Sequence, residues 1–260
     1  MAESPAPHFR EYSESLVSIV VPVFNEAANI VSNLDLLIGE IEEHFKRFEI
    51  LVVSDGSTDG TNLNVFSFKD ERIRLLVSER NAGKGNAVRR GFQNAIGDYI
   101  FFIDGGMELH PKEIRIFFGL MSLYEADIVI GSKRHPQSKV YYPLIRRILS
   151  GIYQRLVKVM FSVDATDTQV GIKLFRKEVI SAILPDLRID RYGFDLEILT
   201  LAKIHGFSRI LEAPVQMDYF LRNRRALPIE LAHIFKVGTS LLIDTLKLYR
   251  RTRRLKLKGK

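Results

Sequence analysis

The sequence predicts an α/β fold with a mostly parallel central sheet and helices on both of its faces. Short runs rich in Val, Ile and Phe alternate along its first half with stretches whose apolar residues recur every three or four positions. A polar loop rich in Asp, Asn and Gly follows several of these runs directly. Hydrophobic residues make up 46% of the 260, enough for a sizeable core.

Residues 16–22, 48–54, 74–77, 99–103 and 128–130 read as buried strands, each a short apolar run of β-branched and aromatic side chains. Residues 27–45 carry Ile30, Leu34, Leu37, Ile38 and Ile41 at helical spacing. Residues 83–95 and 112–124 are further helices, the latter opened by Pro111. In a sheet built from such units, ligands bind beyond the carboxyl ends of the strands.

The loops at those ends hold the candidate site. The first strand runs into Pro22, Val23, Phe24, Asn25 and Glu26, and the second into Asp55-Gly56-Ser57-Thr58-Asp59-Gly60-Thr61. Asn81-Ala82-Gly83-Lys84-Gly85 follows the third, and Asp104-Gly105-Gly106-Met107-Glu108 the fourth. Each loop alone has an ordinary explanation in turns and caps. Four converging on one sheet edge suit a nucleotide diphosphate. Asp55 is placed to accept from a base, and Lys84 and the glycine-rich backbone to meet phosphate oxygens. Asp104 is placed to hold a hard divalent cation, Mg²⁺ or Mn²⁺.

Other chemistries are excluded by what the chain lacks. It has no cysteine, and hence no disulfide framework, thiolate metal site or thiol nucleophile. It contains neither the Walker pattern nor a G-x-G-x-x-G after the first strand, and its six histidines show no zinc-binding spacing. No apolar run approaches the roughly 18 to 20 residues of a spanning helix, and residues 1–14 lack a signal-peptide core, so the chain is expected neither to span a membrane nor to be secreted.

The ordered motifs resemble inverting glycosyltransferases of the glycosyltransferase-A fold. In the second half, Gly131-Ser132-Lys133-Arg134, Asp167-Thr168-Gln169-Val170-Gly171-Ile172-Lys173-Leu174-Phe175 and Phe194-Asp195-Leu196-Glu197 resemble polyprenyl-phosphate sugar transferases. The Asp-Thr-Gln segment is most similar to dolichyl-phosphate glucose synthases, with dolichol-phosphate mannose synthases as broader relatives. The resemblance spans about residues 17–214. It implies a nucleotide-sugar site at Pro22, Val23, Asn25, Glu26, Asp55, Lys84, Asp104, Gly105 and Gly106, for UDP-glucose or GDP-mannose. It implies metal ligands at Asp104 and Glu108, and an acceptor-phosphate site at Arg134, Arg146 and Ser150. Asp104, Arg134, Arg146 and Asp167 are then the residues expected at the reaction centre, although a turn or cap role explains Asp167 equally well. The chain departs from the family at Gly106, where the second acid of a D-x-D motif is expected, and at Ser54, where an acid usually precedes Asp55. The reading is therefore a hexosyltransferase acting on a polyprenyl phosphate, with two alternatives open: a nucleotide-sugar-binding protein without catalysis, and a transferase with a soluble acceptor.

Charge bears on the acceptor. The formal net charge is +7, and eight Lys or Arg with no acid lie in residues 247–260, leaving the rest of the chain near neutral. Residues 128–163 hold seven Lys or Arg and no acid. Within them, 143–161 is an amphipathic helix with Leu144, Ile145, Ile148, Leu149, Ile152, Leu156, Val159 and Met160 on one face. Residues 227–249 form a second, with Leu231, Ile234, Phe235, Leu241, Leu242, Leu246 and Tyr249 as its apolar side. Basic flanks beside apolar faces suit an anionic membrane surface, so peripheral attachment at the cytoplasmic face is expected. No aromatic single-strand platform accompanies the tail, so no nucleic acid is expected. The chain divides into a polar extension (1–15), a transferase domain (16–225, with nucleotide-sugar half 16–126 and acceptor half 127–225) and the C-terminal helix with its basic tail (226–260).

Overall fold

The structure, a computed structural model, describes residues 14–141, 144–218 and 227–258. Strands β1 (Val17–Val23), β2 (Phe48–Ser54), β3 (Ile73–Val77) and β4 (Tyr99–Ile103) alternate with helices α1 (Ile30–Glu42), α2 (Thr61–Ser67), α3 (Lys84–Asn94) and α4 (Ile114–Leu123). Then come β5 (Ile128–Ser132), β6 (Lys139–Tyr141), α5 (Leu144–Phe161), β7 (Ile172–Arg176) and α6 (Lys177–Ile183). The remaining elements are α7 (Phe194–Ile204), β8 (Ile210–Pro214), β9 (Gln216–Asp218) and α8 (Leu227–Lys258).

Seven strands form one sheet in the order β3-β2-β1-β4-β7-β5-β8, while β6 and β9 pair separately. β1 runs parallel to β2 and β4, which places Val20 beside Leu51 and Phe102. β7 runs antiparallel to both neighbours, β4 and β5. Covered on both faces, the central strands are apolar at nearly every position. Val17, Ile19, Val21 and Val23 pack with α1 and α4, whereas Val20 packs with α3 and the second-half helices. The helical spacing of Ile30, Leu34, Leu37 and Ile41 turns all four toward the sheet, and all four are fully buried.

Seven of the described elements, α2, α6, α7 and β6 to β9, escape the sequence patterns, and α2 and β7 do so for different reasons. α2 is a short helix with few buried residues, Thr61 and Val65, and its Asn, Thr and Ser content reads as loop. β7 is interrupted by Lys173, which is fully buried in the centre of the sheet. A lysine there defeats a reading based on apolar runs.

The two amphipathic helices leave much of their expected apolar faces open. In α5 the side packed on the body is Gln154, Val157 and Phe161, while Ile148, Leu149, Ile152, Leu156 and Val159 are exposed, Val159 at 84%. α8 buries Thr245, Leu248 and Thr252 and exposes Phe235, Leu242, Ile243 and Leu246. The helices thus carry apolar residues on more than one side, and the faces singled out from sequence include the ones left open. α8 also extends to Lys258 and takes in most of the basic tail. The polar extension lies outside the described residues up to position 13, as do the side chains of Arg146, Leu231 and Ile234.

Candidate active site

The loops after β1, β2 and β4 and the start of α3 enclose a cavity of about 360 Å³ at the carboxyl edge of the sheet. Pro22, Val23, Glu26, Asp55, Lys84, Asp104, Gly105, Gly106 and Glu108 all line it. Asn25, expected among them, does not. Its side-chain oxygen accepts the Thr58 backbone N–H at 2.9 Å and its own N–H donates to Ser57 Oγ at 3.1 Å, so it clamps the first loop to the second. The left-handed backbone at Asn25, φ 56°, is one that Asn tolerates.

Asp55 organises the cavity wall. Buried below the loop, it accepts the backbone N–H groups of Ala82 and Gly83 at 2.9 and 2.8 Å, one on each carboxylate oxygen. Those bonds use part of the capacity expected to serve a base, since a carboxylate has about four lone-pair sites. Gly83, at φ 110°, could not carry a side chain: an added Cβ would sit 2.3 Å from the Asp190 carbonyl oxygen. The 187–193 loop is thereby docked against the start of α3, and Arg191 and Tyr192 from it complete the cavity. Sequence reading missed both, because the loop's position depends on this long-range contact. Glu197, fully buried, fixes the same loop by accepting the Arg188 and Ile189 backbone N–H groups and the Arg251 guanidinium of α8.

Two neighbouring ion pairs form a cluster of four charges at the cavity. The Lys84 ammonium lies 2.6 Å from each Asp104 carboxylate oxygen, and the Lys173 ammonium 2.5 Å from Asp195 Oδ1. Burial pushes the Lys84 ammonium down, but Asp104 and Asp195 outweigh it and hold its pKa above the ordinary lysine range. The stabilisation from this pair is therefore present throughout neutral pH and is lost only as the pH rises through that raised value. Burial pushes the Lys173 ammonium down and the Asp195 carboxyl up, and each ion holds the other partway back. Asp104 approaches β7 closely, its backbone N–H donating to the Gly171 carbonyl at 2.9 Å. A Cβ at Gly171 would lie 2.1 Å from Asp104 Oδ2.

A second cavity, of about 580 Å³, opens beside the first. Lys84 and Tyr192 line both. Its mouth lies between α5 and α8, flanked by Leu149, Ile152, Leu156, Leu241 and Leu242. Its deeper wall is polar, with Lys133, Gln154, Asp167, Gln169 and Asp195. Asp167 lines this cavity; its Oδ2 receives the Lys133 backbone N–H at 3.2 Å and lies 3.3 Å from the Lys133 ammonium. Ser150 also lines it, and Arg134 Nη2 donates to Ser150 Oγ at 3.4 Å. Arg146 belongs to α5 four positions before Ser150, with its side chain outside the described residues. Tyr153 lines the cavity, and burial pushes its hydroxyl up to about 12.

The glycosyl transferase family 2 model matches residues 18–184. The chain belongs to that family. It is 33% identical over 202 residues to a dolichyl-phosphate beta-glucosyltransferase of Dictyostelium discoideum, covering 72% of this chain and 62% of the relative. It is 30% identical over 248 residues to the Saccharomyces cerevisiae dolichyl-phosphate beta-glucosyltransferase, covering 86% of this chain and 74% of that one. The chain thus spans less than two thirds of the Dictyostelium relative's length. Among solved structures, glucosyl-3-phosphoglycerate synthase from Mycobacterium tuberculosis, in complex with Mn²⁺, UDP and phosphoglyceric acid, superposes with a TM-score of 0.68 at 19% identity. That match covers 96% of this chain and 85% of the synthase. The glycosyltransferase-A fold and the family expected from the motifs are both borne out.

Asp55→Ala is expected to lower the free energy of unfolding by about 2–3 kcal/mol, since it removes two part-buried hydrogen bonds to a charged acceptor. Urea unfolding measures this; an unchanged midpoint would contradict the role of Asp55 as the anchor of the 80–83 loop.

Proposed function

We propose that this protein transfers glucose, with inversion, from a nucleotide diphosphate glucose, most simply UDP-glucose, to a polyprenyl phosphate at the cytoplasmic face of a membrane. The observation that carries this reading is the meeting of two cavities of opposite character at Lys84 and Tyr192. One is polar and bordered by glycine-rich loops, as a nucleotide diphosphate requires. The other is apolar at its mouth and basic nearby, as an isoprenoid phosphate requires. The names of the relatives, dolichyl-phosphate beta-glucosyltransferases, support the same acceptor and sugar.

The acceptor's chemistry sets the mechanism. A phosphate monoester has a second pKa near ~6 and is largely dianionic at neutral pH, so its oxygen attacks without a general base. Arg134, with Arg146 and Ser150 on the neighbouring helix, would hold that phosphate, and Asp167 would orient the sugar or the acceptor. The chain's main contributions are then to align the attacking oxygen opposite the leaving diphosphate and to neutralise the charge that develops there. Displacement in line inverts the anomeric centre.

A divalent cation, Mg²⁺ or Mn²⁺, would supply part of that neutralisation. Among the described residues no three acidic or histidine side chains form a metal-binding cluster. Asp104 and Glu108 nevertheless line one cavity, and both Asp104 carboxylate oxygens meet the Lys84 cation there. That donor set suits a hard cation that takes its remaining ligands from phosphate and water. Gly106 leaves room for another: an added Cβ would meet only Glu26 Oε1, at 3.7 Å. Gly106→Asp is expected to tighten Mn²⁺ binding about tenfold and to raise turnover, whereas Asp104→Ala should abolish both. Calorimetry and turnover assays with each variant check this, and Mn²⁺ affinity insensitive to both substitutions would refute the assignment.

No helix among the described residues is long and apolar enough to cross a membrane. The exposed apolar residues of α5 and α8, with Arg147, Arg155 and Lys158 on α5 and the basic end of α8, support docking on an anionic surface instead. Incubating the protein with polyprenyl phosphate and UDP-glucose should place sugar in the lipid extract. Sugar found only in the aqueous phase would favour a soluble acceptor, and donor binding without transfer would favour a binding protein. Binding to anionic vesicles should exceed that to neutral ones and weaken with salt; equal binding to both would reject the membrane reading.

A further inference from the structure

The deep wall of the apolar cavity contains three buried polar atoms with no hydrogen-bond partner among the described residues: Gln154 Nε2, Gln169 Nε2 and Asp167 Oδ1. Gln154 is 8% exposed and Asp167 1%. Buried polar groups are nearly always paired, so three in one wall call for an occupant. Two of these side chains are anchored at their other end. Gln154 Oε1 accepts from Thr168 Oγ1 at 3.3 Å, and Asp167 Oδ2 is held by Lys133. The Lys133 ammonium also donates to the Gln169 backbone carbonyl at 3.3 Å. The wall is therefore a prepared set of two amide donors and one carboxylate acceptor.

That set distinguishes among ligand chemistries. A phosphate dianion only accepts hydrogen bonds and would face the Asp167 carboxylate with like charge. An isoprenoid chain offers nothing to any of the three. Hydroxyl groups do both jobs, accepting from an amide and donating to a carboxylate. Since Lys84 and Tyr192 belong to both cavities, a sugar attached to a diphosphate at Lys84 is the hydroxyl-bearing group within reach.

We propose that Gln154, Gln169 and Asp167 hydrogen-bond the hydroxyls of the transferred hexose, and that Gln154, projecting from α5, sets which hexose epimer is accepted. The inference rests on the proposed function, which assigns the donor diphosphate to the polar cavity that Lys84 lines. A site built to pair a hydroxyl discriminates strongly against an analogue that leaves its buried polar groups unmet. Gln154 would thus tie sugar choice to the same helix that borders the lipid-facing mouth.

The test is calorimetry on the full chain with UDP, UDP-glucose and UDP-galactose, comparing the wild type with Gln154→Leu and Gln154→Glu. The expected result is unchanged UDP affinity in both variants, UDP-glucose binding weakened roughly tenfold, as for loss of one such hydrogen bond, and an epimer preference reduced toward one. Gln154→Leu also removes the acceptor of the buried Thr168 hydroxyl, so its unfolding temperature is measured alongside; Gln154→Glu retains that acceptor and the size should the leucine variant misfold. Unchanged UDP-glucose affinity and epimer ratio in both variants would overturn the proposal while leaving the donor site intact. Equal loss of UDP and UDP-glucose would also overturn it, marking Gln154 as structural. Failure of the wild type to bind UDP would overturn the donor-site reading itself.

Discussion

The cluster of four charges formed by Lys84, Asp104, Lys173 and Asp195 is the constraint on which the rest of the site depends. Each ion comes from a different element: the start of α3, the end of β4, the middle of β7 and the start of α7. Removing one partner from a buried pair typically costs about 3–5 kcal/mol because the other charge is left uncompensated. Lys173 and Asp195 therefore hold α7 to the sheet. Asp104 is fixed from below by the Gly171 carbonyl and from above by Lys84. The glycine at 171 exists to let this happen, since any side chain there would occupy the place of the Asp104 carboxylate.

That constraint also bears on how a single α/β body carries two cavities of unlike character. The carboxyl edge of the parallel strands gives a polar cavity, as expected for such sheets. The antiparallel insertion of β7 brings the 165–170 segment alongside, and with it the polar wall that α5 and α8 roof over with apolar side chains. Lys84 stands at the junction. Held by Asp104 in this structure, it would have to turn toward a phosphate for the two cavities to work together, which would leave the Asp104 carboxylate free to hold a cation. α5 and α8 expose several apolar residues, which the proposed membrane docking would cover.

Much of this was legible in the sequence because it is local. Strands β1, β2, β4 and β5 are apolar runs bounded by turn residues, and Asp55, Lys84 and Asp104 stand at strand or helix ends where short-range patterns place them. What was not legible depends on distant contacts. Asn25 looked like a ligand residue and is a clamp, because its partner Thr58 lies across two loops. Arg191 and Tyr192 enter the site only because Gly83 lets their loop dock. Lys173 concealed a central strand, since its charge is affordable only with Asp195 beside it. In α5 and α8 the periodicity identified helices but not which apolar side the body would cover, a choice made by packing against elements far away in the chain.

The central claim is that Asp104 and Lys84 exchange partners when the donor diphosphate arrives. It is tested most directly by calorimetric titration of Mn²⁺ into the protein alone and into the protein saturated with UDP. The account predicts weak Mn²⁺ binding by the free protein, where Lys84 already occupies the Asp104 carboxylate, and binding at least roughly tenfold tighter with UDP, as expected of coupled sites. Equal Mn²⁺ affinity with and without UDP would contradict it.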